Sequence, residues 1–378
     1  MGKQVIHLAV LLAALAVLGA VGLRARYGGG AYYTDLSTAP LMGSENLELV
    51  LAYDEPIGNV AVSADGRIFF TTHPEARPQG PKLLEWRDGE AVAYPSASAQ
   101  DSLFGSVLGI SIDRQNRLWT IDHGNHGIRR AKLLAFDLES GALVHEKVFP
   151  IEVAPLGSYL QDLQIDPAGR TVYIADVSFV RGSPAIVVYD VDDGSSWRIL
   201  EDHASVSPQD WIIRNPLKEM TFFRGLVVLK PGVDGIALDR RGEWLYYGAM
   251  AHESLYRVRI SDIHEPRLTP LGLTARIEEV GKKPLSDGLI TDNSGNVYVT
   301  DIEHDGVMRI GADGSLQTVI RSARIRWADG LSYGPGGWLY IADSAIPDHM
   351  LRSRKHIRAS APYYVFRFRP GTAGTPGQ

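Results

Sequence analysis

The amino-acid sequence predicts an all-β fold: a single six-bladed β-propeller preceded by an N-terminal apolar segment. The first observation is a repeated phrase in which Asp-Gly stands at the start of an apolar strand, at Asp234-Gly235, Asp287-Gly288 and Asp329-Gly330. The second is that each phrase continues through a turn into an aromatic-rich strand, as at residues 338–343. Strand–turn–strand units repeated at roughly 40 to 50 residues are typical of propellers, where each unit is one blade.

Six segments fit one pattern, apolar-x-apolar-x-x-x-Gly, in which the last residue closes the turn after an inner strand. They are residues 60–66, 110–116, 163–169, 236–242, 289–295 and 331–337. Asn116 replaces glycine once, which a turn with positive φ tolerates. We predict a propeller over residues 47–369, with residues 47–53 closing the ring as the outer strand of the last blade. The long insertion at residues 202–231 is predicted to cover part of the fold.

The composition is that of a globular protein and excludes several functional classes. Of the 378 residues, 45% are apolar and 22% charged, and 39 glycines and 21 prolines suit a fold with many tight turns. The net charge of −6 without a basic stripe gives no basis for nucleic-acid binding. The absence of cysteine excludes disulfides, thiol nucleophiles and Cys-based zinc sites.

Residues 1–30 are predicted to be separate from the propeller. An apolar run ends at Leu23 and is followed by Arg24, Arg26 and three glycines. The run is short for a membrane span and long for a signal peptide, so a cleaved signal peptide and an uncleaved membrane anchor with a glycine linker are both kept. Either one exports the propeller to the periplasm or the extracellular space, secreted or tethered. Residues 370–378 are predicted to be a disordered tail.

Acidic side chains recur at one end of the predicted channel. Asp234, Asp287 and Asp329 are equivalent in their blades, and Asn59 and Asp162 fall one position later. Because the inner strands of a propeller line a central channel, all five are expected to converge. Converging carboxylates repel one another unless a cation, a proton or backbone donors compensate. An organic amine, a hard cation such as Ca²⁺ or Mg²⁺, and capping of backbone N–H groups all stay open.

A second group of polar residues lies in the loops that follow the second strands. Glu303 and His304 are in such a loop and are predicted to line the site. His73 is in the equivalent loop of the first blade, whereas His123 and His126 indicate a polar loop because no further metal ligand is near. The predicted ligand-binding set is Asn59, Asp162, Asp234, Asp287, Asp329, Glu303 and His304, and no catalytic residue or metal ligand is assigned.

Several phrases, taken in order, resemble one family. They are Gly58-Asn59-Val60, Leu108-Gly109-Ile110, Tyr159-Leu160-Gln161-Asp162, Val233-Asp234-Gly235, Ser286-Asp287-Gly288 and Trp327-Ala328-Asp329-Gly330. Together they resemble the major royal jelly protein / Yellow family in its bacterial branch, over nearly all of residues 47–369. The resemblance implies a secreted six-bladed propeller, which in some relatives holds biogenic amines in the channel and in others is linked to pigment chemistry. It implies no catalytic motif, and the disulfides of insect members cannot form here.

The architecture is also similar to that of the gluconolactonases and regucalcin, which are six-bladed metal enzymes. The resemblance implies a metal held by a Glu of the first blade and by Asn and Asp residues of later blades. The corresponding positions here are Gly58 and Gln161, and only Asp234 or Asp287 is retained. We therefore predict no cofactor, because Gly58 stands where a Ca²⁺ site would need the carboxylate of the first blade.

The sequence thus leads to a monomeric, exported protein that binds a small organic ligand, an amine or a phenolic compound, in its channel. No nucleic-acid partner is expected, and membrane attachment would be through the N-terminal segment. A lactonase-like or isomerase-like enzyme using the same cavity and a protein-interaction scaffold are kept as alternatives, so whether the chain is an enzyme stays open.

Overall fold

The computed structural model describes residues 2–378 and contains six antiparallel sheets of four strands each. The inner strand of every blade contacts the inner strands of its two neighbours, and the last blade contacts the first. The ring is therefore closed, and the predicted six-bladed propeller is confirmed. Buried apolar side chains pack between successive blades, for example Trp119 of the second blade with Leu163 of the third.

The strands follow one another in chain order from the channel outwards. Helix α1 (Gly2–Tyr27) and strand β1 (Glu48–Tyr53) precede the first blade. The first three blades are β2–β5 (Ile57–Val62, Ile68–Thr72, Leu83–Arg87, Glu90–Ala93), β6–β9 (Val107–Ile112, Arg117–Asp122, Lys132–Asp137, Leu143–Val148) and β10–β13 (Leu160–Ile165, Thr171–Asp176, Ala185–Asp190, Ser196–Ile199).

Two small hairpins separate the third blade from the fourth. They are β14–β15 (Arg214–Asn215, Lys218–Glu219) and β16–β17 (Thr221–Phe222, Val227–Val228). The fourth and fifth blades are β18–β21 (Val233–Leu238, Trp244–Ala249, Ser254–Arg259, Glu278–Lys282) and β22–β25 (Leu289–Thr291, Val297–Asp301, Gly306–Ile310, Leu316–Arg321). The sixth contains β26–β28 (Ala328–Tyr333, Leu339–Asp343, Tyr363–Phe368). Short helices lie at Gln100–Leu103, Gly124–Gly127, Ile260–Ile263, Pro270–Thr274, Ile346–His349 and Arg354–Ala359.

Strand β1 closes the ring as the sequence predicts. It pairs antiparallel with β28, with Glu48 opposite Arg367 and Tyr53 opposite Tyr363. The Arg367 guanidinium also donates to the Glu48 carboxylate at 2.9 Å. The sixth blade thus combines a strand from the start of the propeller with three from its end, which ties the two ends of the domain together.

Five of the six inner strands have a shift in pairing register at the level of the predicted acidic site. In β2, β6, β10, β18 and β26 the pairing with the second strand shifts register near the strand's start. Asn59, Asp162, Asp234 and Asp329 all stand within these shifts. A bulge changes the direction in which a side chain points and is frequent beside functional sites. The repeated bulges therefore gather polar side chains at one end of the channel.

Aspartates at the ends of second strands hold the segments that lead into the inner strands. Asp122 accepts hydrogen bonds from the backbone N–H groups of Gly105 and Ser106 at 2.6 and 3.0 Å. Asp343 accepts equivalent bonds from the N–H groups of Arg326 and Trp327 at 2.9 and 2.8 Å. These buried backbone donors would otherwise lack partners, which is costly. These two aspartates therefore have a structural role.

The insertion between the third and fourth blades forms a lid over the channel mouth. Ile213, Met220 and Phe222 pack with Met250 of the fourth blade and Trp327 of the sixth. The Asn215 side chain also donates to the carbonyl oxygens of residues 302 and 326, each at 2.8 Å. The lid thus bridges three blades, as the length of the insertion led us to expect.

The C-terminal segment differs from the disordered tail that its Gly, Thr and Pro content predicts. The backbone oxygen of Gly377 accepts from the Ile112 N–H at 2.8 Å, and that of Gln378 accepts from the Tyr333 N–H at 3.0 Å. Both donors lie at the ends of inner strands, opposite the mouth. The segment is ordered because its backbone oxygens satisfy these two N–H groups, and it covers that end of the channel.

Gly374→Ala is expected to release this segment. A Cβ at residue 374 would lie 2.0 Å from the Tyr333 ring, which is an impossible contact. We expect amide hydrogen exchange at Ile112 and Tyr333 to accelerate by about tenfold or more, with Val172 in a central strand unchanged. Thr375→Ala, which adds no atoms, is the control. Equal exchange in the two variants would contradict the assignment.

Helix α1 has the length and apolar composition expected of the N-terminal segment. Residues Gln4–Tyr27 are apolar and long enough to cross a membrane, a criterion that a signal sequence also satisfies. Most of the helix is exposed, and its last residues, Arg26 and Tyr27, contact the propeller. Its sequence therefore fits a signal peptide or an anchor.

Candidate functional site

A cavity of about 350 Å³ opens at the channel mouth, beneath the lid. Its walls are mostly apolar, and its deepest residues, Gln161, Asp234 and Asp287, come from the inner strands and the segments that lead into them. The apolar walls are formed by Val177, Phe179, Val180, Phe222, Phe223, Val227, Leu229, Pro231, Met250, Ile346, Met350 and Leu351. Apolar walls above a few convergent polar groups are typical of small-molecule sites.

Asp234 and Asp287 form a pair of neighbouring carboxyl groups at the floor. Both are almost fully buried, and neither oxygen of Asp234 receives a hydrogen bond from a described donor. Burial, then the charge of Asp287, raises the pKa of Asp234 well above its usual value. Burial likewise raises the pKa of Asp287, to about 6. Of the two carboxyl groups, Asp234 therefore holds a proton more tightly, and Asp287 ionises first.

Two side chains donate to Asp287, and a buried lysine lies nearby. The indole N–H of Trp327 donates to Asp287 at 2.6 Å, and the Gln161 amide donates to its other oxygen at 3.5 Å. The Lys283 ammonium is fully buried and contacts the Ser286 hydroxyl at 3.0 Å. Burial lowers the pKa of Lys283 to about 7, although the two carboxylates oppose the shift. The floor is therefore acidic, with one partly charged lysine as its counter-ion.

The remaining predicted residues of the acidic ring surround the cavity without lining it. The Asn59 side-chain amide donates to Asp162 at 2.9 Å across the channel. Burial and the charge of Asp287 raise the pKa of Asp162 to about 8. Asp329 is buried, one of its oxygens has no donor among the described residues, and burial raises its pKa well above normal. The structure thus brings together all five residues that the repeat predicts for this end of the channel.

Neutral aromatic and imidazole groups form one polar wall. His123 stacks on Tyr159 with ring centroids 4.0 Å apart, and His126 contacts Glu75 at 2.8 Å. Burial lowers the pKa of His123 to about 3 and that of His73 to about 4. Burial also raises the pKa of Tyr159 well above its usual value. At neutral pH the rings of His73, His123 and Tyr159 are therefore uncharged, next to the negative charge of Glu75.

Glu303 and His304 lie elsewhere than the other predicted site residues. Neither is among the side chains that line the cavity. Glu303 accepts the backbone N–H of Arg214 at 2.7 Å and so holds the lid. His304 lies 3.0 Å from Asp301, and this hydrogen bond raises the pKa of His304. Their predicted role in ligand binding stays a prediction, whereas their contacts in the structure are with the lid and with Asp301.

Several lining residues escaped the sequence-based prediction. Tyr159 and Gln161 stand three residues and one residue before Asp162, so their closeness to a predicted site residue was the signal in the sequence. The bulge in β10 then brings all three to the same end of the channel. Lys283 stands four residues before Asp287, but nothing in its local sequence indicates that it is buried. The apolar walls come from the insertion and from residues 346–351, whose positions only the tertiary structure reveals.

The metal site of the gluconolactonase architecture does not fit these residues. A Cβ at position 58 would lie 2.4 Å from the buried Leu108 side chain, so a first-blade carboxylate would have to displace that side chain. Gln161 donates its amide to Asp287. Across residues 2–378, no three His, Cys, Asp or Glu side chains are arranged to hold a metal ion. We derive no chemistry through a metal.

Comparison with known proteins gives two kinds of similarity. The model of the "Major royal jelly protein" family matches residues 105–323, more than half of the chain. Major royal jelly protein 3 of Apis mellifera is 24% identical over 249 residues, which is 63% of this chain and 43% of that protein. Major royal jelly protein 6 of the same species is 30% identical over 170 residues, covering 41% and 36%. The matched region thus spans less than half the length of these relatives.

Solved structures share the fold at low sequence identity. A calcium-binding protein, regucalcin, from Agrobacterium tumefaciens has a TM-score of 0.55 and 15% identity, covering 89% of this chain and 98% of its own. A gluconolactonase from Xanthomonas campestris has a TM-score of 0.52 and 15% identity, with coverages of 91% and 98%. At such identities the likeness establishes the propeller fold alone.

Proposed function

The chain belongs to the major royal jelly protein family, and from that premise and the cavity we propose that it binds a small organic amine. The observation that carries the proposal is the carboxyl pair Asp234–Asp287, buried at the floor of a cavity whose walls are apolar. A protonated amine with an aromatic body places its charge on the pair and its ring between Phe179 and Phe222. The cavity volume lies at the lower end of the range for organic ligands.

The charge balance favours a cationic ligand over a neutral one. Four carboxyl groups, Asp162, Asp234, Asp287 and Asp329, lie close enough to influence one another, and Lys283 is near only Asp234 and Asp287. Protons take the place of the missing cations. An ammonium group can displace the proton shared by Asp234 and Asp287 and restore full ionisation of the pair. Aromatic rings at the wall, such as Tyr159, add cation–π attraction.

The test uses phenethylamine and its neutral isostere 2-phenylethanol, with binding to the purified protein measured by calorimetry. We expect phenethylamine to bind more tightly, and Asp287→Asn to weaken its binding by about tenfold or more, because a charge-assisted contact is lost. Asparagine still accepts from Trp327, so the fold is kept. Binding should also weaken below about pH 6, where Asp287 becomes protonated.

Asp305→Asn is the matched control. Asp305 is in the same blade, its carboxyl is half-buried, and it does not line the cavity. Its backbone φ of 55° suits asparagine. This variant should bind phenethylamine like the natural protein. Equal loss in both variants, or equal binding of the amine and the alcohol, would overturn the proposal.

A second candidate is an isomerase-like enzyme, favoured by the same proton-sharing pair. A protonated Asp234 beside an ionised Asp287 supplies both an acid and a base, the requirement for moving a proton on a bound substrate. Phenylacetone in D₂O tests this candidate: the enzyme would introduce deuterium at the carbon next to the carbonyl, and Asp234→Asn would abolish the exchange. If the recovered ketone contains no deuterium, the isomerase candidate is excluded and only the binding function remains.

The proposal includes export across a membrane. Helix α1 supports it, since its length and apolar composition fit a signal peptide or an anchor. The propeller would then work in the periplasm or the extracellular space, as a monomer that meets its ligand outside the cytoplasm.

A further inference from the structure

Helix α1 joins the propeller at the rim of the channel mouth. The Arg26 guanidinium donates to the backbone oxygen of Arg181 at 2.7 Å, and the Tyr27 hydroxyl donates to that of Val180 at 2.9 Å. The Tyr27 ring also lies 5.7 Å from that of Phe179, which lines the cavity. The end of the helix is therefore fixed to the loop that forms the lip of the mouth.

The glycine segment after the helix does not act as a free spacer. The Lys230 ammonium donates to the Gly28 oxygen at 3.2 Å. Ala31 then donates to the Asp210 oxygen at 2.9 Å and accepts from Ile212 at 2.8 Å, both in the lid. The chain thus stays on the mouth face from Tyr27 to Ala31, and the position of α1 determines which face of the propeller is near a membrane.

The dimensions of α1 place this face at the lipid headgroups. From Val5 to Leu23 the helix rises about 28 Å, close to the hydrocarbon thickness of about 30 Å. Arg24 and Arg26 then reach the interface, where such side chains are favourable. Tyr27 is about 6 Å beyond Leu23 along the axis. The lip that it contacts is therefore at the bilayer surface when α1 spans the membrane.

The mouth face carries large apolar side chains that point to solvent. Phe223, Leu351 and Val180 are 66%, 62% and 51% exposed, although they also line the cavity entrance. Ile128 and Leu217, at the tips of two further loops on this face, are 69% and 50% exposed. Apolar side chains grouped on one surface indicate an interaction site.

A basic residue follows each of these apolar tips directly in the sequence. The pairs are Ile128-Arg129, Val180-Arg181, Leu217-Lys218, Phe223-Arg224 and Leu351-Arg352. Arg129 and Arg224 are exposed, while nearby carboxylates are taken up by ion pairs, such as Asp210 with Lys230 and Glu55 with Arg354. Alternating apolar and basic groups match the acyl chains and headgroups of an anionic bilayer.

Two of the tips hold a backbone conformation that bulky residues avoid. Phe223 and Leu351 have φ values of 51° and 55°, in the left-handed region. Such strain persists where a function depends on the direction of the side chain. Here it directs an aromatic and an aliphatic side chain outwards at the entrance of the same cavity.

We propose that the mouth face rests on an anionic lipid bilayer, with Phe223 and Leu351 inserted at the interface. The cavity then opens towards the membrane surface, and its ligand enters from the lipid phase rather than from bulk water. The ligand is accordingly amphipathic, with an apolar part that partitions into the bilayer. The inference depends on α1 and the rim, and it holds whichever chemistry the cavity performs.

The natural chain has no cysteine, so a single introduced cysteine can be labelled without other changes. The full chain, carrying Phe223→Cys or Leu351→Cys, is labelled with a fluorophore and reconstituted into phosphatidylcholine–phosphatidylglycerol vesicles that contain a nitroxide lipid. Glu139→Cys, exposed on the opposite end of the propeller, is the negative control, and Leu15→Cys in α1 is the positive one.

Quenching at residues 223 and 351 should be at least about threefold stronger than at residue 139. Equally weak quenching at all three positions would overturn the proposal. Self-quenching that follows protein density instead of nitroxide content would mean that two copies meet through this face, which also overturns it. In vesicles of phosphatidylcholine alone the quenching at residue 223 should fall, and no change would refute the role of the basic residues.

Discussion

Gly288→Ala is expected to lower the free energy of unfolding by about 3 kcal/mol, the upper part of the range for forcing an extra methyl group into a packed interior. A Cβ at residue 288 would lie 2.0 Å from the backbone oxygen of Asp329 in the next blade. Because the obstacle is backbone and the ring is closed, neither strand can move aside without disturbing its own neighbours. The same constraint holds at Gly109, where a Cβ would lie 1.9 Å from the Gln161 oxygen.

Urea denaturation of the purified variants measures the effect. Gly80→Ala is the matched control, because the nearest atom to a Cβ there is the Tyr53 hydroxyl at 4.0 Å. Its free energy of unfolding should change by less than about 0.5 kcal/mol. If Gly288→Ala were as stable as Gly80→Ala, the inner strands would be less tightly packed than the structure indicates.

These contacts explain why the Asp-Gly phrase is repeated. They also show which of its features the sequence alone could predict. The glycine of the phrase is required by the close approach of neighbouring inner strands, which is a packing need. The aspartate has a different origin: at Asp234 and Asp329 a shift in strand register turns the side chain towards the channel, and Asp287 stands just before its strand begins. In the first and third blades Asn59 and Asp162 replace that glycine, and their side chains meet across the channel. The repeat therefore predicted both the ring and its acidic end.

The parts that sequence did not predict depend on contacts between distant segments. Glu303 and His304 follow a second strand, as His123 and His126 do, but the backbone of Arg214 in the insertion donates to the Glu303 carboxylate. Lys283 is buried because Gly248, in another strand, leaves room for its side chain. The C-terminal segment is ordered because its backbone oxygens accept from Ile112 and Tyr333 at the ends of two inner strands. None of these relations leaves a local pattern in the chain.

Asp162→Asn is expected to change how stability depends on pH. Burial and the charge of Asp287 raise the pKa of Asp162 to about 8, against about 4 in an unfolded chain. The folded protein thus binds this proton more tightly than the unfolded chain does. The resulting stabilisation is fully present below about pH 4 and is lost as the pH rises through about 8. Asparagine has no proton to lose and can still accept from Asn59.

The difference in unfolding free energy, variant minus natural protein, should therefore rise between pH 4 and pH 8. We expect a rise of more than about 2 kcal/mol. This is less than the full difference in pKa would give, because Asp162 is partly exposed and solvent screens its charge. Urea denaturation at pH 4, 6 and 8 measures it, and Asp54→Asn at an exposed position controls for the loss of one negative charge. A difference that stays constant with pH would show that Asp162 ionises freely. The acidic end would then hold several full negative charges without a ligand, which strong burial in a closed ring opposes.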